Sequence, residues 1–240
     1  MLLERSKHNR LEMENTKEEI LQSIDKVSKA IINMGPQLRA ISPNLNFFDF
    51  FLISSLNRTV NLNKAFTALM RDNNFIAAAP LVRLNLDSLL RLFAARISEN
   101  DMNEFAKRVY HGETIRKMKS HDKKGNLTDK YLVDQLEAVG EMEWIRKVYD
   151  AGNSFVHFSE NLIYASRHVG NDEERMLHFT IGFHDSFIPE NEKIGAAFWM
   201  NKINSAIIQQ GQVWMLEKAN AVGFDIEKLN DSRLWKGDTE

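Results

Sequence analysis

Apolar residues recur at spacings of three and four along most of the chain, the period of helices with one buried stripe. Thr16 followed three residues later by Glu19 reads as a capping box, in which hydroxyl and carboxylate each satisfy a free amide at a helix start. Ile20, Leu21, Ile24, Val27, Ile31 and Met34 then keep the helical period until Gly35-Pro36, which predicts the stop. Residues 1–15 read as a charged N-terminal tail or loose helix, and 16–240 as a single helical domain. A second helix starts near Asn46, has Asp49 in its first turn, and runs to Arg71 before the breaker cluster Asp72-Asn73-Asn74. The third, about Phe75 to Ser98, is the most apolar, with Pro80 near its first turns. Asp101 and Glu104 open a fourth, predicted to about Lys119, and a polar turn from His121 to Leu127 follows. Thr128 caps a short helix to Val139, Gly140 separates it from a long one over about 141–168, and the last spans about Asn191 to Ala221.

One segment changes period. Leu177, Phe179, Ile181 and Phe183 alternate with His178, Thr180, Gly182 and His184, the two-residue repeat of a half-buried strand. A lone strand needs a partner, and no second segment of comparable quality is visible. It either pairs with itself across a dimer axis or forms an extended loop. The predicted fold is all-α, a bundle of six or seven helices with one short extended or strand-like insertion near 176–184. The second, third, sixth and last helices should bury the main core, including Phe48, Leu56, Leu86, Leu89, Phe93, Phe155 and Leu162.

Composition narrows the function classes. Hydrophobic residues at 43% and charged residues at 27% suit a folded core rather than a disordered chain. No cysteine is present, which removes disulfides, thiolate metal sites and Cys nucleophiles. A formal net charge of −2 advertises neither nucleic acid nor an anionic membrane. The longest apolar runs, Phe75 to Val82 and Phe50 to Ile53, fall far short of the roughly 20 residues that span a bilayer. No apolar signal core is visible near Met1, so a cytoplasmic protein without a membrane partner is expected. Wide apolar coverage and the unpartnered strand predict a homodimer.

Two sets of polar residues call for an explanation. On the third helix Arg83 and Asp87 share an otherwise apolar stripe at i, i+4, with Arg91 beside them. They are either an internal salt bridge that fixes register or an arginine presented to a buried anion. On the sixth helix one stripe carries Arg146, Asp150, Asn153, Ser154, His157, Asn161, Tyr164 and His168. Long Lys and Glu side chains are nearly absent from it, and short-range donors and acceptors dominate. That stripe is either a solvated face or the lining of a cleft or docking face for a partner. His157 is its natural proton-transfer group, because an imidazole can take up or release a proton near neutral pH.

The segment Tyr149-Asp150-Ala151-Gly152-Asn153-Ser154-Phe155-Val156-His157 resembles the Tyr-x4-Ser-x2-His signature of bacterial all-helical proteins of unknown function. Arg83 and Asp87 match the Arg-x3-acid pair that such families place on an upstream apolar helix. The resemblance covers roughly residues 47–222. More distantly the chain is similar to the HEPN superfamily, whose active members are metal-independent ribonucleases of defence and toxin systems. That resemblance implies a phosphate-binding arginine and a proton-transferring histidine spaced Arg-x4–6-His. Here the nearest arginine before His157 is Arg146, eleven positions away and about 16 Å along a helix. Only Arg116 to His121 meets the spacing, in a predicted loop.

Arg116, Lys117, Lys119, Lys123, Lys124 and Lys130 form a basic run that suits either a solvated loop or contact with phosphates. His178 and His184 stand six residues apart, about 20 Å in an extended strand, so no metal site is expected. Neither a phosphate-cradling glycine motif nor a cofactor fingerprint occurs, and no cofactor is expected. Two readings follow. The first is a noncatalytic interaction or sensor module with Tyr149, Asp150, Asn153, Ser154 and Asn161 as binding residues. The second is a HEPN-like ribonuclease or RNA-binding component with His157, Arg83 and Asp87 as catalytic residues. The Arg–His spacing favours the first.

Overall fold

The structure is a computed structural model that describes residues 2–140, 142–157, 159–169, 177–179, 181–182, 185 and 187–230. Among the described residues eight α-helices pack into an all-α bundle, and two short antiparallel strands lie between the last two. In chain order the helices are α1 (Leu2–Ile41), α2 (Phe47–Arg71), α3 (Phe75–Ile97), α4 (Met102–Tyr110), α5 (Asp129–Glu137), α6 (Trp144–Val156) and α7 (Glu160–Ala165). Strands β1 (Arg167–Val169) and β2 (Leu177–Phe179) follow, then α8 (Glu190–Val222). No described helix is long and apolar enough to cross a membrane.

Side chains at the helix starts account for several boundaries. Asn46 caps α2 by accepting from the Asp49 amide at 3.0 Å, and Asp49 returns the bond from the Asn46 amide at 2.7 Å. Asp101 caps α4 through the amides of Asn103 and Glu104, and Thr128 caps α5 through that of Tyr131. Gly223 ends α8 at φ 67°, a left-handed conformation that glycine adopts without a Cβ clash.

Residues 2–15 are helical, the second of the two expected alternatives, and continue into the rest of α1. Several other expectations are corrected. Thr16 lies within α1 instead of starting it. Pro36 also lies inside α1, which continues to Ile41. Leu21, Ile24, Ile31, Met34, Leu38 and Ile41 are buried on either side of the proline, and their packing on α2 and α8 outweighs the lost backbone bond. The main core therefore includes α1. The fourth helix ends at Tyr110, not near Lys119, and a left-handed Gly112 and a 3₁₀ turn over Ile115–Lys117 replace its expected last turns.

The long helix expected over 141–168 is two helices, interrupted at His157, whose backbone is extended at φ −101° and ψ 135°. Ser154 donates to the Ala151 carbonyl at 2.6 Å, and Ser159 donates to the Ser154 carbonyl at 2.8 Å. The Ser154 hydroxyl back-bonds within α6, while that of Ser159 takes a carbonyl that a further helical turn would have used. The strand also finds its partner inside the chain. β1 and β2 pair antiparallel, with Arg167 opposite Phe179 and Val169 opposite Leu177. Of the segment 176–184, residues 176, 180, 183 and 184 lie outside the described residues.

At the centre of the bundle, α3 touches α2, α4, α5, α6 and α8. Phe48, Leu56, Leu86 and Leu89 are buried as the sequence predicts, whereas Phe93, Phe155 and Leu162 are only half-buried. At the α2–α8 end, the Asp49 carboxylate is fully enclosed. It pairs with Lys218 and accepts from the Trp214 indole at 2.8 Å, while Lys218 also donates to the Asn44 carbonyl. Asp49→Ala would leave Lys218 buried without a counter-charge and should cost about 3–5 kcal/mol in urea unfolding. Asp49→Ala combined with Lys218→Met, which removes the stranded charge but still lacks the cap, should recover part of that loss. Equal losses in the single and double variants would assign the effect to the cap alone.

Candidate functional site

The expected Arg83–Asp87 pair gives way to a larger lattice of charges. Arg83 is buried, and its Nη2 donates to Asp129 at 2.9 Å while its Nε donates to the Asn153 amide oxygen at 3.1 Å. The guanidinium also lies 4.5 Å from the centre of the Tyr149 ring, within cation–π range. Asp87 instead accepts from Arg91 at 2.6 Å and from Arg58 at 3.1 Å, and Arg58 donates to Ser88 as well. Arg91 reaches on to Asp129, which also takes Arg116 at 2.8 Å. Four arginines from α2, α3 and the 3₁₀ turn thus surround two carboxylates.

Asp129 is the hub. It stands in the first turn of α5, where the helix dipole favours a negative charge, and it is 7% exposed. Burial alone would raise its pKa, but the charges and hydrogen bonds of Arg91, Arg116 and Arg83 hold its carboxyl below the usual range. The sequence reading passed over this residue because Thr128 explained the cap and the basic run read as a loop. An acidic first-turn residue thirteen positions after Arg116 was the available signal.

The polar stripe of the sixth helix is divided by the break at His157. Tyr149 and Asn153 join the lattice through Arg83. Asp150 and His157 are exposed, and Ser154 bonds to its own helix at Ala151. Arg146 pairs with Asp134 and Glu137 of α5. The side chains of Asn161 and His168 lie outside the described residues. Within the basic run, Arg116 enters the lattice, while Lys117, Lys119, Lys123, Lys124 and Lys130 are exposed. His121 has its Nδ1 3.3 Å from the Ile97 carbonyl. Among the described residues, no cluster of three or more His, Asp or Glu is placed to hold a metal ion.

A cavity of about 450 Å³ opens where α3, α6, α7 and the start of α8 meet. Aromatic rings line it from Phe75, Phe155, Tyr164, Phe187 and Trp199, and small residues such as Ala79, Gly152, Gly195 and Ala196 leave the space between them. Phe75 and Phe155 meet edge to face at 5.5 Å. Asp185 holds the adjoining segment against α3: its carboxylate takes the Phe75 amide, and its own amide donates to the Asn73 carbonyl at 3.1 Å. That anchor leads directly into Phe187, Ile188 and Pro189 along the cavity wall. Sequence reasoning missed the cavity because its aromatics are scattered over four helices and the segment before α8, with Phe155 read as core and Tyr164 as part of the polar stripe.

Cavity and lattice share one strip of backbone. Gly152 lines the cavity, and a Cβ placed on it would stand 2.7 Å from the Arg83 Cβ, closer than two such carbons pack. Comparisons of the chain with protein-family models, with curated proteins and with solved structures found no match.

Because the folded carboxyl of Asp129 titrates below its unfolded value of about 3.9, its stabilisation is present above that pH. It is lost as the pH falls through the lower folded value. Asp129→Asn should therefore cost about 3–5 kcal/mol at pH 7 by urea unfolding. The gap between parent and variant should shrink below about pH 4. A gap unchanged down to pH 2 would mean that the charge of Asp129 is not what holds the lattice.

Proposed function

We propose that the chain is a noncatalytic binding module of the sensor kind, and that its ligand is a small, largely apolar molecule. The observation that carries this reading is the cavity between α3, α6, α7 and α8, which is the size of a small-molecule site and walled by aromatic rings. The charged residues considered for catalysis support binding over turnover. Arg83 would have to leave Asp129 and Asn153 before it could meet a phosphate, and Asp87 is engaged by two guanidiniums. His157 stands exposed at the end of α6 and belongs to neither the lattice nor the cavity lining. The ribonuclease alternative has less to draw on, since it needs Arg83 and His157 free to share one phosphate.

Binding is tested with N-phenyl-1-naphthylamine, a neutral aromatic probe whose fluorescence rises in apolar surroundings. The parent chain should give saturable one-to-one enhancement. Gly195 lines the cavity, and an added Cβ there meets nothing within 4 Å. Gly195→Leu should therefore fill the space and abolish the enhancement without lowering the melting temperature, since leucine is also the better helix former. No enhancement by the parent, or equal enhancement by the variant, would overturn the reading.

Self-association is proposed on narrower grounds than before, because β2 is partnered by β1. What supports it is the exposure of Phe50, Phe198 and Leu216 on α2 and α8. Light scattering at micromolar concentration should give the mass of a two-fold dimer. A monomeric mass would remove the proposal.

A further inference from the structure

The cavity wall combines two features that favour one ligand class. Phe75, Phe155, Phe187 and Trp199 turn aromatic surface toward it, and ring faces attract cations as well as flat apolar groups. Trp199 already draws one cation: the Lys202 ammonium lies 5.6 Å from its ring centre and 4.9 Å from that of the stacked Trp144. Among the described lining residues, Glu192 is the one with an ionisable acid. It sits in the first turn of α8, lines the cavity and is exposed to solvent, so the residue stands at the rim. The neighbouring acid, Glu190, is engaged with Lys17 and Lys193, whereas no ion pair of Glu192 is found among the described residues. Arg167 covers the Tyr164 ring at 4.9 Å and is not part of the lining.

We infer that the cavity takes a small aromatic amine or quaternary ammonium compound, with its flat body against Phe75, Phe155, Phe187 and Trp199 and its cationic head toward Glu192. The inference rests on the cavity being the binding site and adds the charge of the ligand. A neutral aromatic of the same size gains only the contact with the rings. A carboxylate brings its charge against Glu192 and the ring faces, both of which repel it.

Three compounds of one shape separate these outcomes: 2-naphthylmethylamine, 2-naphthalenemethanol and 2-naphthoate, each competing with bound N-phenyl-1-naphthylamine at pH 7. The amine should displace the probe roughly tenfold more tightly than the alcohol, and the naphthoate should be weakest. Glu192→Gln should weaken the amine by about threefold to fivefold, as for an exposed ion pair, and leave the alcohol unchanged. Added salt should act in the same direction on the amine alone. Equal affinities for the amine and the alcohol, or tightest binding by the naphthoate, would overturn the cationic ligand while leaving the cavity as a site for apolar molecules. Failure of all three compounds, and of the probe itself, would remove both.

Discussion

The arrangement of α3, α5 and α6 depends on where one carboxylate, that of Asp129, finds its positive partners. Three guanidiniums converge on it, from Arg83 and Arg91 on α3 and from Arg116 in the 3₁₀ turn. Water cannot readily replace its two inward partners, so the geometry of Arg83 and Arg91 becomes a condition of folding, while the largely exposed Arg116 closes the site from the surface. Arg83 carries the constraint on to α6 through Asn153 and Tyr149, and Arg91 carries it through Asp87 to Arg58 on α2. Burying charge is a poor source of net stability, but it discriminates sharply between registers, since a helix shifted by one residue strands several charges at once.

A second buried carboxylate does related work at the other end of the bundle. Asp49 is at once the returning half of the α2 capping box and the counter-ion of Lys218. A local signal, the helix start, is thereby tied to a contact 169 residues away. Between α1 and α2 the directional element is Arg71 of α2, which grips both oxygens of Glu18 and reaches Asp25 at 2.8 Å. The register of α1 is also assisted by polar bridges such as Asn63 to Ser28 and Asn201 to Ser23.

Helix starts and stops were legible where a single side chain decides them, as at Asn46, Asp101, Thr128 and Gly223. The failures came where distant contacts decide. Gly35-Pro36 has every local mark of a stop, yet Met34 and Leu38 are held in the core on both sides of it. At His157 the reverse occurred: the helical period runs on unbroken, and at the break the Ser159 hydroxyl takes the Ser154 carbonyl, a bond that periodicity does not register. The site was divided in the same way. Arg83, Tyr149 and Asn153 were recognised as belonging to something polar, but their partner Asp129 lies on a short helix after a loop, and its capture of Arg83 is purely tertiary. A cavity is harder still to read, because it is made by what small residues such as Gly195 and Ala196 leave empty.

Gly152 gives the two halves of the molecule a common boundary. On one side its backbone forms part of an apolar wall, and on the other it rests on the aliphatic stem of Arg83. No side chain lies between them to absorb a displacement. Any side chain larger than a hydrogen at 152 would therefore push on the arginine, whose reach to Asn153 and Asp129 is set by bonds of 3.1 and 2.9 Å. The seam admits no thickening: the apolar wall and the charge lattice stand back to back, and the far end of that lattice is Arg116, on the surface.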